Sequence, residues 1–135
     1  MSFVLDASMT MAWHFDDEAT ERTDAVRSLL PSSVVHVPEF WLLEVTNILL
    51  AGERRARATP EQSARFSRQL QTIDLRVDRE GLTASLTRIL PLARVHRLSA
   101  YDTLYLELAE RLGLPLATLD RQLATAAVSV GLTVL

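Results

Sequence analysis

Phe3, Val4 and Leu5 make a short apolar run that stops at a carboxylate, Asp6, and passes at once into the helix-compatible stretch Ala7 to Phe15. So short and apolar a run reads as a strand buried in a parallel sheet. In open α/β sheets the carboxyl ends of such strands open on a crevice. Asp6 therefore stands at the mouth of that crevice. Alone, it is most simply the cap of the helix behind it, because Asp is among the preferred N-cap residues. Its meaning depends on whether other acids reach the same point.

The rest of the chain repeats the same alternation. Asp16, Asp17 and Glu18 load charge onto the expected start of a second helix carrying Ala25, Val26, Leu29 and Leu30 at helical spacing, closed by Pro31, Ser32 and Ser33. Val34 to Val37 is a β-branched strand closed by Pro38. Glu39 to about Arg57 is helical, with an apolar stripe of Trp41, Leu42, Val45, Ile48 and Leu49. Thr59 and Pro60 start a fourth helix that runs to about Gln71. Ile73, Leu75 and Val77 alternate with Asp74 and Arg76, the period of a half-exposed strand. Arg79 to Arg94 is helical in pattern, with Pro91 forcing a kink or an end near Leu90. Ser99 to Leu112 is the clearest helix, capped by Ser99 and stopped by Gly113. Leu114 to Leu119 reads as a strand, Asp120 to Val130 as a helix and Leu132 to Leu135 as a last strand. The expectation is a single domain over residues 1–135 of the α/β class, a three-layer α/β/α sandwich with a small parallel sheet of four or five strands.

Composition narrows the chemistry. Without cysteine, disulfides, a zinc ribbon and thiol catalysis are excluded, and a cytoplasmic setting is expected. All fourteen basic side chains are Arg, so mechanisms that need a Schiff-base or phosphate-loop lysine are excluded too. No apolar run approaches the roughly 20 residues that cross a bilayer, and the N-terminus has no signal-peptide pattern, so no membrane association is expected. A net charge of −3 argues against coating nucleic acid by bulk electrostatics but leaves local basic patches open. The run Gly52 to Arg57 is one such patch, read either as a phosphate grip or as cations at a helix C-terminus. His14, His36 and His96 lack ligand spacing.

Four acids remain. Asp120 follows the strand Leu116 to Leu119 as Asp6 follows the first, and it too has a capping explanation. Asp102, in Ser99-Ala100-Tyr101-Asp102, fits a capping box. Glu44 lies at the edge of an apolar helix stripe, where a carboxylate is costly to bury, and Asn47 on the same face could orient it. Together, two strand ends, a helix start and a helix face can supply carboxylates to one crevice. With only Arg121 adjacent in sequence, such a cluster could not ionise fully without a bound cation. Oxygen ligands select Mg²⁺ or Mn²⁺ over zinc or copper, and such ions suit phosphodiester hydrolysis.

Four stretches carry a resemblance: Val4 to Ser8; Glu44 with Val45 and Asn47; Leu98 to Ala109; and Leu116 to Arg121. In this order the chain resembles the PIN-domain ribonucleases and, within them, the VapC-type toxins of bacterial toxin–antitoxin pairs. The resemblance implies Mg²⁺- or Mn²⁺-dependent endonucleolytic cleavage of RNA. It makes Asp6 and Asp102 direct or near-direct metal ligands, Glu44 and Asp120 the completing acids, and Ser8, Ser99 and Thr118 polar neighbours. It also implies a homodimer and a cognate antitoxin packing over the second to fourth helices, with Trp41, otherwise a core residue, nearby. Two other readings share the architecture. A phospho-receiver-like domain gathers acids and Mg²⁺ at strand ends but ordinarily uses the lysine this chain lacks. A non-catalytic module would keep the scaffold only to dock a partner protein.

Overall fold

The computed structural model describes residues 1–135. Strand β1 (Ser2–Leu5) leads into helix α1 (Ala7–Ala12), and α2 (Glu21–Leu29) into β2 (Val34–Pro38). Two helices follow, α3 (Phe40–Arg54) and α4 (Pro60–Leu70), before β3 (Asp74–Asp78). The short α5 (Glu80–Thr83) and α6 (Leu90–His96) precede α7 (Ala100–Leu112), β4 (Leu116–Ala117) and α8 (Arg121–Ser129). The four strands form one all-parallel sheet in the order β3-β2-β1-β4, flanked by helices. Leu5 pairs with Ala117, Val4 with His36, and Pro38 with Asp78, so the strands share one carboxyl edge. That edge carries Asp6.

The strands are buried as their composition demands. Phe3, Val4, Leu5, Val35, Val37, Leu116 and Ala117 have no exposed surface. Each buried aliphatic or aromatic side chain contributes roughly 1.5–3 kcal/mol relative to exposure. The covering layer includes α7, which contributes Tyr105, Leu106, Leu108 and Ala109. Trp41 belongs to the core, its indole N–H donating to Thr10 Oγ1 at 3.1 Å. No helix is long and apolar enough to cross a membrane.

Helix ends follow local chemistry. Thr59 and Gln62 close a reciprocal capping box with Pro60 in the first turn of α4. Ser99 Oγ accepts from the Asp102 N–H, and Gly113 ends α7 at φ 65°, a left-handed position that Gly occupies without a Cβ clash.

Five expectations are corrected. The first helix stops at Ala12, and Asp16–Glu18 form a separate 3₁₀ turn. The acids therefore do not start the second helix, which begins at Glu21 under a Thr20–Thr23 capping box. Arg79 to Arg94 is not one helix: a π-helical turn, Ser85–Ile89, separates α5 from α6, and Pro91 lies in the first turn of α6, where its missing N–H costs nothing. The expected strand Leu114 to Leu119 contracts to Leu116–Ala117. A two-residue strand offers little to pair with, so the last segment contributes only the bridge Val134 to Leu116.

Candidate active site

Asp6 occupies the N-cap position of α1 without capping it. Its carboxylate turns instead toward β4. Ser8 Oγ donates to Oδ2 at 2.6 Å and Thr118 Oγ1 donates to the same oxygen at 2.7 Å. Each hydroxyl is itself pinned, Ser8 by the Leu119 N–H at 3.0 Å and Thr118 by the Asp120 N–H at 3.0 Å. The loop after β4 is thereby locked to the start of α1 around one carboxylate that is only 3% exposed. Burial pushes the Asp6 carboxyl above its ordinary range; the hydroxyl donors pull it back, and the charge of Asp120 adds to the rise.

Glu44 reaches the same region from α3. Tyr105, fully buried in α7, donates its phenol to Glu44 Oε1 at 2.6 Å. Burial raises the Glu44 carboxyl, Tyr105 opposes that, and Asp6 and Asp102 raise it further. The Tyr105 phenol is held protonated by burial and by the Asp6 and Glu44 charges. Asp102, in the first turn of α7, is raised by burial and then by Asp120 and Asp6. Ser99 caps the helix beneath it, but the reciprocal bond of a capping box is absent. Asp120 does cap its helix, Oδ1 accepting from the Leu123 N–H at 2.8 Å.

Asp6 and Asp102 therefore feel the Asp120 charge and Glu44 feels Asp6 and Asp102, with no basic side chain among the groups that shift Asp6, Glu44 or Asp102. This all-oxygen, net negative set has the donor chemistry of a hard divalent cation site. It is not a finished cage: no three Asp, Glu or His side chains are gathered closely enough to hold an ion by themselves. Openness of this kind suits Mg²⁺, which keeps several waters and is bound through one or two carboxylates plus substrate phosphate.

Of the polar neighbours expected around the acids, Ser8 and Thr118 touch Asp6, whereas Ser99 touches only the Asp102 backbone. Asn47 is exposed and makes no hydrogen bond to Glu44. Tyr105 was missed by sequence reasoning, although Asp102 and Tyr105 are three residues apart on one helix and so share a face. Arg22 was missed too. It donates to the Thr118 carbonyl at 2.8 Å and also to that of Leu135, bracing the loop that carries Thr118. Tyr101, next to Asp102 on α7, stacks on Phe40 at the start of α3 with ring centroids 4.5 Å apart.

The other candidates lie elsewhere. Arg57 pairs with Asp17 and Glu18 and sits 4.0 Å over the Phe15 ring, so it is engaged within the protein. His14 packs between Phe15 and Phe66.

A family model described as "PIN domain" matches residues 3–128. The chain is 29% identical over 124 residues to "Ribonuclease VapC3" of Pyrobaculum aerophilum, an alignment spanning 92% of this chain and 93% of that protein. Its fold is similar to the crystal structure of PAE2754 from Pyrobaculum aerophilum, with a TM-score of 0.70 at 20% identity over 93% of this chain and 84% of that one. It is also similar to VapBC2 from Rickettsia felis bound to a DNA fragment from their promoter, with a TM-score of 0.66 at 11% identity over 100% of this chain and 98% of that one.

Proposed function

The chain belongs to the PIN domain family, and on that premise we propose that it is a Mg²⁺- or Mn²⁺-dependent endoribonuclease, the toxin of a toxin–antitoxin pair. The observation that carries the reading is the convergence of three carboxylates on one crevice, Asp6 held by Ser8 and Thr118, Glu44 held by Tyr105 and Asp102 on the Tyr105 helix, each raised above its ordinary range chiefly by burial and with no basic side chain among the groups that shift it. The resemblance to a ribonuclease over nearly the whole chain supports the choice of RNA. The likeness to VapBC2 supports an antitoxin as partner. A homodimer, a cytoplasmic setting and a single catalytic domain over residues 1–135 complete the proposal.

Asp6 and Asp102 would hold the ion, and Glu44 and Asp120 would complete the pocket. When bound, a divalent cation lowers the pKa of an attacking water and neutralises charge on the scissile phosphate. The chain's own groups do the positioning. Ser8 and Thr118 fix the Asp6 carboxylate in one orientation. Tyr105 does the same for Glu44 and leaves its other oxygen to receive or orient a proton-bearing group. Asp120 spends one oxygen on its helix, which fits a completing role better than a central one.

The test is cleavage of single-stranded RNA with Mn²⁺ or Mg²⁺ and with chelator. Metal-dependent cleavage that disappears in Asp6→Asn and Asp102→Asn, with melting curves still cooperative, is the expected outcome. Cleavage that persists in both variants rejects the site. A second reading, a non-catalytic PIN scaffold that docks a partner protein, draws on the open spacing of the acids. It predicts no rise in melting temperature with millimolar Mn²⁺, whereas a bound ion must stabilise the native state.

A further inference from the structure

We propose that the groove between the end of α6 and α8 binds the phosphodiester backbone of the RNA strand beside the cleavage site, with Arg97 and Arg121 as its phosphate contacts. This inference rests on the ribonuclease reading. The groove, of about 420 Å³, is lined by His96, Arg97, Arg121, Gln122, Thr125 and Ser129, with no carboxylate among its walls. The ion pairs of the molecule are made by Arg57, Arg76, Arg79, Arg88 and Arg111, so neither groove guanidinium is engaged by a protein acid. Arg97 also closes α6 in the left-handed region, at φ 55° and ψ 41°, where Gly or Asn is the usual choice. An arginine kept in that conformation is a strained residue at a surface that has a use for its side chain.

Position makes the groove relevant to the acids. Arg121 directly follows Asp120, and Arg97 stands two residues before the Ser99 cap of the helix that carries Asp102. A crevice of four acids in a chain of net charge −3 repels a polyanion, so a strand can lie across it only where local cations meet its flanking phosphates. The groove is the side where the backbone charge is answered. Thr125, Ser129 and Gln122 add neutral donors for further phosphate oxygens.

The experiment is equilibrium binding of a labelled single-stranded RNA oligonucleotide in chelator, where no cleavage occurs, as a function of salt. The proteins are wild type, the double variant Arg97→Asn/Arg121→Gln, and the equally charge-depleted Arg65→Gln/Arg68→Gln, whose residues are exposed on α4. Asn tolerates the left-handed backbone at position 97, and Arg97→Gly is a second version that relieves it. With about 0.7 lost from the slope of log affinity against log salt for each single-strand phosphate contact, the groove variant should lose about 1.4, or roughly 25-fold in affinity at about 0.1 M salt. The α4 variant should bind as wild type. Equal weakening of both double variants, wild-type binding by the groove variant, or no RNA binding by the wild type would overturn the groove. Groove-dependent binding without metal-dependent cleavage by the wild type would support the groove and remove the ribonuclease reading, while cleavage with groove-independent binding would do the reverse.

Discussion

The Tyr105 phenol, with no exposed surface, donates a 2.6 Å hydrogen bond to Glu44, a carboxylate sixty-one residues away in the chain. It aims an acid on α3 from the helix that carries Asp102. Removing only the hydroxyl in Tyr105→Phe should cost about 0.5–1.5 kcal/mol of stability, the ordinary worth of such a bond. Metal-dependent cleavage should fall by more than that, roughly 10- to 100-fold, as when a residue that orients a metal ligand is lost. Melting curves and initial rates on the same preparations separate the two; a rate that follows stability alone would make Tyr105 a packing residue.

Thr118→Val keeps the shape but deletes the donor to Asp6 and the acceptor for the Asp120 N–H. The expected cost is about 1–3 kcal/mol, since partly buried groups lose their partners. The apparent Mn²⁺ affinity, read as the shift of melting temperature with metal concentration, should weaken roughly 10- to 100-fold. Ser8→Ala should behave alike, and the pair should be non-additive because both hydroxyls serve one oxygen.

A separate network holds the opposite end of α7. Arg111 bonds Asp78 at 2.8 Å, Glu107 at 2.7 Å and Glu80 at 3.0 Å, and Glu107 is only 6% exposed. Burial pushes the Asp78 carboxyl up, but the Arg111 guanidinium and the Gly81 N–H together bring it below its ordinary value of 3.8. A carboxyl lowered on folding contributes stability that is complete above its unfolded pKa and is lost as pH falls through the folded one. Wild-type stability should therefore drop below about pH 4 in a step that Asp78→Asn lacks, measured by chemical denaturation. Arg111→Met should cost about 3–5 kcal/mol at neutral pH by leaving the buried Glu107 with only the longer Arg88 contact at 3.7 Å.

His14 titrates in the same sense but at higher pH. Burial against aromatic neighbours lowers its pKa from 6.5, and its buried Nε2 has no hydrogen-bond partner. The unfolded chain then takes up the proton first, so stability declines as pH falls below about 6.5 and levels off once the folded form also titrates. His14→Gln should flatten that decline. An unchanged slope between wild type and variant would assign it to another group, His36 on β2 being the other histidine lowered by burial.

The parts of the fold that were legible in the sequence are those governed by neighbours within a turn or two. Thr59-Pro60, Ser99 and Gly113 marked helix ends, and the alternation of Leu75 with Asp74 and Arg76 marked a half-exposed strand. Even local reading failed at Asp16–Glu18, where acids that suit a helix start form a 3₁₀ turn while Thr20 takes the cap. The failure is one of competition, because two segments five residues apart offered equally good starting chemistry.

The candidate site divides along the same line. Asp6 and Asp120 occupy equivalent places in the sequence pattern, each following an apolar strand, yet Asp120 caps its helix and Asp6 does not. The difference comes from Ser8 and Thr118, whose hydroxyls meet only when β1 and β4 lie side by side. What the sequence determined by itself was the donor chemistry and the element order: oxygen acids without lysine or cysteine, on strands too apolar to be exposed. Tertiary structure alone decided which acids feel one another, which hydroxyl or phenol holds each, and which arginines are left free, because those choices depend on contacts made across tens to more than a hundred residues of chain.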